Sequence, residues 1–215
     1  MKELGEARKI LSIEISRSRQ LRKVQFSQKS YLQKLIRMFH MLEAKEINIP
    51  FAQHFKLSHI QSPSDEESMR EMKKISYSSA VGSLIYCVVY IRSDLAHAMS
   101  VASKFMANLE KDYWTAVKWI LRYLKGTINM VLIYGGASLD VKSNILEFTD
   151  ADYVVDIDKR RSFMGYVFKL WNSTISWKTN LQSVVALSTI EAKYIAATEA
   201  IKEVLWLKGI VVFCS

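Results

Sequence analysis

The hydrophobic pattern of this chain changes period near residue 128, and no other feature constrains its fold as strongly. Upstream, apolar residues recur three and four apart, as one face of a helix requires; downstream, short β-rich runs alternate with turn residues. A mainly helical front followed by an α/β rear is therefore expected. With 215 residues the chain has room for one large or two small domains. Half of the residues are hydrophobic and only 7 are Gly and 2 Pro, which favours a packed core over disorder.

In the front, residues 10–15 and 23–26 read as the strands of a hairpin joined by a polar, basic turn. Ser27 is expected to cap a helix whose buried face is Tyr31, Leu32, Leu35, Ile36 and Phe39, with Lys29, Gln33 and Arg37 opposite. From Glu43 to about Pro63 the period fades, as in an extended linker, and Asp65, Glu66 and Glu67 open a short helix. Helices over roughly 76–91, 94–107 and 110–125 follow. The second carries a core stripe of Leu95, Met99, Ala102 and Met106, with Ser93 as its cap. In the third, Trp114, Val117, Ile120, Leu121 and Leu124 form an apolar arc, and Gly126 ends the helix. Lys111, Lys118, Arg122 and Lys125 share its other side, flanked by Trp119 and Tyr123.

In the rear, residues 131–134, 145–149, 165–170 and 174–177 read as strands, and a last helix starts at Ser188 and runs to about Leu207. The terminal run Ile210-Val211-Val212-Phe213 reads as a strand stub or as unrelated sequence.

Charge narrows the function. The net charge is +9, and residues 1–60 hold twelve Lys or Arg against five acids. Such clustering suits a polyanion such as nucleic acid, and solubilising surface charge is the competing explanation. The stripe Lys118, Arg122 and Lys125, with Lys29 and Arg37, supplies candidate phosphate contacts, while Trp119 and Tyr123 could stack on bases. A solvated helix face with two packed aromatics explains the same pattern. No long apolar run and no signal-like start is present, so an intracellular protein, cytoplasmic or nuclear and without a membrane, is expected. Cys87 and Cys214 lie far apart and form no metal-ligand spacing with the histidines.

Two polar clusters could carry chemistry. Asp150, Asp152, Asp156 and Asp158 crowd the end of a strand, where acids can hold Mg²⁺ or simply solvate a turn. Ser188 and Glu191 stand at capping-box spacing, a structural role for Glu191.

Longer strings are more specific. Phe148-Thr149-Asp150-Ala151-Asp152-Tyr153, Arg161-Ser162, Gly165-Tyr166-Val167-Phe168, Ile175-Ser176-Trp177-Lys178 and Ala186-Leu187-Ser188-Thr189 occur in that order. Together they resemble the RNase H domain of copia-type LTR retrotransposon Pol polyproteins. Upstream, Leu4-Gly5-Glu6-Ala7, Phe26-Ser27-Gln28 and Trp114-Thr115-Ala116-Val117-Lys118 through Tyr123-Leu124-Lys125-Gly126-Thr127 resemble the region after the reverse-transcriptase catalytic strands.

The resemblance implies an α+β chain: 1–26 the end of the palm, 27–128 a helical thumb/connection-like region, and 129–215 a truncated RNase H-like α/β domain. It implies nucleic-acid partners, either an RNA–DNA hybrid or a template–primer duplex, and Mg²⁺ as the cofactor. Family RNase H domains use four carboxylates around two Mg²⁺. Asp150 matches the first, as catalytic and metal residue. Lys193 stands where the motif Ser-Thr-x-Glu-Ala-Glu-Tyr has its metal-facing Glu, while Glu191 matches the other Glu; a register two residues earlier would make Glu191 the ligand. The polymerase aspartates and the last two RNase H acids are expected outside residues 1–215. Ser12 stands where the family has Gly, Ser93 where it has Pro, and Tyr153-Val154-Val155 where it has Trp-Ala-Gly. The expectation is a catalytically inactive fragment with Asp150 vestigial and Mg²⁺ not held productively; the alternative is a non-catalytic module that binds nucleic-acid duplexes.

Overall fold

The computed structural model describes residues 5–52, 55, 57, 70, 75–105, 111–136, 145–156, 158–170 and 173–213. The chain forms two compact units, Met1–Ala137 and Ser138–Ser215. It is built of helices and antiparallel sheets, in keeping with the α+β expectation.

The front unit holds an antiparallel sheet in the order β1 (Lys9–Ile10), β2 (Ile13–Ser18), β3 (Lys23–Ser27) and β4 (Val131–Gly135). The period had assigned β4 to the rear, yet it pairs with β3 from Lys23↔Gly135 to Ser27↔Val131. The unit boundary accordingly falls near residue 137, not 128. Pairing puts Ile15, Phe26 and Leu132 on one face of the sheet, and Phe26 meets the Tyr134 ring edge-on at 5.5 Å. Gly135 is required where it stands: its φ is +78°, and a Cβ there would lie 2.1 Å from the Arg22 carbonyl oxygen.

Among the described residues this unit also holds the helices α1 (Lys29–Met38), α2 (Tyr77–Tyr90), α3 (Ala96–Ala102) and α4 (Lys111–Gly126). Leu32, Leu35 and Ile36 of α1 are buried, as their spacing predicts, and each is worth about 2 kcal/mol of apolar burial. Gln28 is the N-cap residue of α1, and Ser27 Oγ accepts from the Lys29 N–H at 3.2 Å. Ala80, Val81, Leu84, Met99, Ala102, Val117, Ile120, Leu121 and Leu124 are among the other buried core residues. The Tyr77 hydroxyl donates to the Ala102 carbonyl at 2.8 Å, tying α2 to α3. Cys87 is buried in α2, and burial pushes its thiol up to about 12. Met106, Cys214 and the helix expected after Asp65 lie outside the described residues.

Ser93 does not cap α3 with its side chain. It begins a 3₁₀ turn, Ser93–Leu95, whose preceding residue Arg92 is 1% exposed. The Arg92 guanidinium donates to both Asp94 carboxylate oxygens, at 2.9 and 2.7 Å, and to the Thr127 hydroxyl at 2.7 Å. It also lies 5.5 Å from the centre of the Tyr123 ring, whose hydroxyl donates to Asp94 at 2.8 Å. A buried cation is tolerable only when hydrogen-bonded, and with Nη1 also donating to the Thr127 carbonyl at 3.3 Å four of its five N–H donors are used.

The rear unit is an antiparallel sheet in the order β5 (Ile145–Asp156), β6 (Arg161–Leu170) and β7 (Ser173–Leu181), covered on one face by α5 (Thr189–Phe213). Tyr166 and Phe168 pack against Ala200 and Leu207, with Ile145, Ile175 and Val204 beside them. Gln182 Nε2 donates to the Ala192 carbonyl at 2.7 Å and Ser176 Oγ to Glu203 at 2.8 Å, holding α5 on the sheet. Residues 210–213 continue α5 and form no strand stub. Helical spacing of Leu207 with the upstream alanines carries the helix on, overriding the β propensity of the Ile-Val-Val run.

Among the described residues, six other than glycine take a positive φ. Ser12 (φ +62°) and Val154 (φ +51°) both occupy the left-handed region. That conformation is costly for any residue with a Cβ, and most of all for a β-branched one. Val154→Gly should raise the thermal stability of the rear unit by about 1 kcal/mol, read as an increased melting temperature. In the front, burial alone would raise the Asp94 carboxyl, but the Arg92 guanidinium and the Tyr123 hydroxyl outweigh it and hold it below its ordinary 3.8. The stabilisation is therefore fully present above that ordinary value and lost as pH falls through the depressed one. Asp94→Ala strands the buried guanidinium and should cost about 3 kcal/mol in chemical denaturation at neutral pH, with the acid-induced loss of stability flattened.

Candidate functional site

The acids of the rear unit do not form one cluster. β5 runs on to Asp156, so Asp150 and Asp152 lie within the strand and not after it. Asp150 pairs in register with Gly165, and its Oδ1 accepts from the Ala151 N–H at 2.8 Å. Asp156 is buried at a turn, where its Oδ1 accepts from the Lys159 N–H at 3.2 Å, and exposed Asp158 follows it. Between Asp152 and Asp156 the register slips at a bulge, pinned where the Val154 N–H donates to the buried Ser162 hydroxyl at 3.1 Å.

Alternation along β5 puts Phe148, Asp150 and Asp152 on one face and Glu147, Thr149 and Ala151 on the other. Tyr166 and Phe168, the partners of Thr149 and Glu147, belong to the face that α5 covers. Asp150 is thus assigned to the open face, but β5 is an edge strand and α5 packs close to it. Around that edge lies a cleft of about 450 Å³ lined by Thr149, Asp150, Ile190, Lys193 and Tyr194, with Ala196 and Ala197 at its floor. Asp150 and Lys193, matched from the family pattern to the first and second ligand positions, therefore border the same cavity.

Glu191 is committed elsewhere. Its Oε2 accepts from the Leu187 N–H at 2.7 Å, while Ser188 Oγ accepts from the Glu191 N–H at 3.1 Å. This is the reciprocal start of a helix that the Ser188–Glu191 spacing predicts, with the glutamate reaching one residue further upstream than usual. Among the described residues, no three His, Cys, Asp or Glu side chains come together as a metal site. The cleft itself offers one carboxylate and one ammonium, a donor set that does not fit Mg²⁺.

The basic face of α4 is largely turned to internal use. Arg122 Nε donates to the Lys45 carbonyl at 2.6 Å, and Lys125 Nζ donates to the Leu42 and Ala44 carbonyls at 2.6 and 2.9 Å. The Trp119 indole donates to the Ile49 carbonyl at 3.0 Å, and the Arg122 guanidinium lies 5.3 Å from its ring centre. The stretch read as an extended linker is, over residues 42–49, docked along α4 by these contacts. Tyr123 is buried and bonded to Asp94, so it offers no ring for base stacking. Lys118 is half-buried, and Lys29 and Arg37 are exposed on α1; none of the three has a side-chain partner among the described residues.

The chain is similar to several known proteins. It is 48% identical over 208 residues to the retrovirus-related Pol polyprotein from transposon TNT 1-94 of Nicotiana tabacum, a match covering 97% of this chain and 15% of that protein. It is 31% identical over 208 residues to the retrovirus-related Pol polyprotein from transposon RE2 of Arabidopsis thaliana, covering 96% of this chain and 13% of the relative. A third relative, the secreted RxLR effector protein 161 of Plasmopara viticola, is 40% identical over 136 residues, 63% of this chain and 94% of that protein. No family model and no solved structure matches. The chain belongs to the copia-type retrotransposon Pol polyproteins, and it spans about 15% of the length of the tobacco relative. Among the described residues, no helix is long and apolar enough to cross a membrane.

Thr149, Ile190 and Tyr194 line the cleft although residue chemistry alone had not singled them out; their only signal was membership of the quoted motifs. Two outcomes follow from the geometry. Ser188→Ala removes a cap acceptor and should cost about 1 kcal/mol, measured by urea denaturation. Replacing Arg122 and Lys125 together by Met frees the carbonyls of residues 42–45, so limited proteolysis should cut this segment several-fold faster while the α4 core stays protected.

Proposed function

We propose that this portion of a copia-type Pol polyprotein comprises thumb/connection-like and RNase H-like parts, and that it does not itself hydrolyse RNA–DNA hybrids. The observation that carries this reading is the pairing of Asp150 with Lys193 around one cleft. Two-metal hydrolysis needs a concentration of negative charge to hold both ions, so that the attacking water is activated and the leaving oxygen stabilised. An ammonium at the second position repels the ions and fills part of their space. Glu191 does not substitute for it, because its carboxylate closes the start of α5. Asp150 is then a retained family position without a metal to hold, and no chemical step is assigned to it.

Binding of duplexes without cleavage is the second reading, favoured by the exposed cations Lys29 and Arg37 on α1. Arg122 and Lys125 would contribute less than their spacing suggests, since both already donate to carbonyls. The full chain incubated with a labelled RNA–DNA hybrid and Mg²⁺ should yield no fragments. Lys193→Glu should also leave the hybrid intact, because one restored acid does not complete a two-metal set. Cleavage by the unaltered chain that disappears in Asp150→Asn would sink this reading.

A further inference from the structure

Helix α5 turns an apolar stripe away from the sheet it covers. Its inner face, Ala192, Ala196, Ala200 and Leu207, is buried. On the opposite side Ile190, Tyr194, Ile201 and Leu205 are 67, 72, 51 and 63% exposed. Large apolar side chains gathered along one line of a soluble surface mark a contact with another molecule. The order of these residues is symmetric. Tyr194 stands three residues before Ala197 and Ile201 three after Thr198, while Ile190 and Leu205 each lie four residues further out. Steps of three and four keep the whole set on one helix face.

We infer that this face of α5 binds the same face of a second copy of the chain, the two helices antiparallel about a twofold axis at the Ala197–Thr198 peptide. The axis sets Tyr194 against Ile201 of the second copy and Ile190 against Leu205 of the second copy, and repeats both contacts by symmetry. Small residues at the crossing let the two backbones approach. The Thr198 hydroxyl already donates to the Tyr194 carbonyl at 2.9 Å, so covering it strands no donor. Charge agrees with the same register. Glu191 and Lys202 lie on one flank of the stripe, and antiparallel pairing brings Glu191 to within about 3 Å along the axis of Lys202 of the second copy. Lys202 already meets Glu199 of its own helix, but an exposed ammonium has three donors. Lys193 and Lys208, on the other flank, stay at least about 9 Å from one another along the axis in the pair. With their rim, the four apolar side chains of each copy bury roughly 1,000 Å² in all, the low end of specific interfaces.

Sedimentation velocity of the full chain tests this. Between about 2 and 200 µM it should pass from monomer to dimer, with a Kd on the order of 10 µM for an interface of this size. Ile201→Glu sets a carboxylate against Tyr194 of the second copy and should weaken the dimer at least about tenfold. Phe148→Ser, which removes a ring 55% exposed on the open face of the sheet, should leave the dimer unchanged. Equal melting curves of the three proteins at low micromolar concentration show that each is folded. In a Cys214→Ser background, Thr198→Cys should cross-link to itself on mild oxidation. Lys202→Cys should not, because its two copies lie about 13 Å apart along the axis, beyond the reach of a disulfide. A monomer at every concentration overturns the inference and leaves the stripe to a different polypeptide. It is equally overturned if Ile201→Glu dimerises like the unaltered chain, if Phe148→Ser abolishes association, or if Lys202→Cys links as fast as Thr198→Cys.

Discussion

A buried guanidinium organises the helical half of this protein. Arg92 is inside because the chain leaving α2 has to turn there, and its charge can stay inside only with Asp94, Thr127 and the Tyr123 ring placed around it. Those partners come from the 3₁₀ turn before α3 and from the C-terminal end of α4, so satisfying one side chain fixes the approach of three helical segments. Isolated apolar contacts would tolerate sliding; directed hydrogen bonds to a planar cation do not. Thr127 ends α4 at a defined point, and β4 begins a few residues later with its register to β3 already set.

From α4 the constraint spreads outward. Its inner face buries Val117, Ile120, Leu121 and Leu124, and its outer face holds residues 42–49 through Trp119, Arg122 and Lys125. A segment without secondary structure still needs partners for its backbone carbonyls, and here long cationic side chains supply them. The same positive charges that look like a phosphate track from their spacing are spent, in part, on the protein's own backbone. Charge pattern alone does not separate those uses, since both ask for Lys and Arg on one helix face.

What could be read in advance follows the range of the interactions involved. The arc of α4, the buried face of α1 and the Ser188–Glu191 cap are local patterns, legible from residues within a few turns of one another. The pairing of β4 with β3 joins residues more than a hundred positions apart, and nothing near Val131 announces it. The Arg92 network joins a turn to a helix end in the same way, and the bulge at Val154 depends on Ser162 across the strand pair. In the candidate site the family pattern supplied Asp150 and Lys193, but only the edge position of β5 beside α5 explains how residues on opposite strand faces come to border one cleft. α5 runs past Leu207 although Ile-Val-Val favours strands in isolation, because a helix already packed through Ala192, Ala196, Ala200 and Leu207 continues at little cost.

That alanine stripe also determines what the rear unit can present. Small residues let α5 lie close to Tyr166 and Phe168, and its larger side chains, Ile190, Tyr194 and Leu205, are left outward. Tyr194 therefore owes its exposure to the packing of the opposite face of the helix. Lys193 borders the cleft beside Asp150 at the edge of β5, where a second carboxylate would have concentrated the negative charge that divalent ions require and an ammonium disperses it.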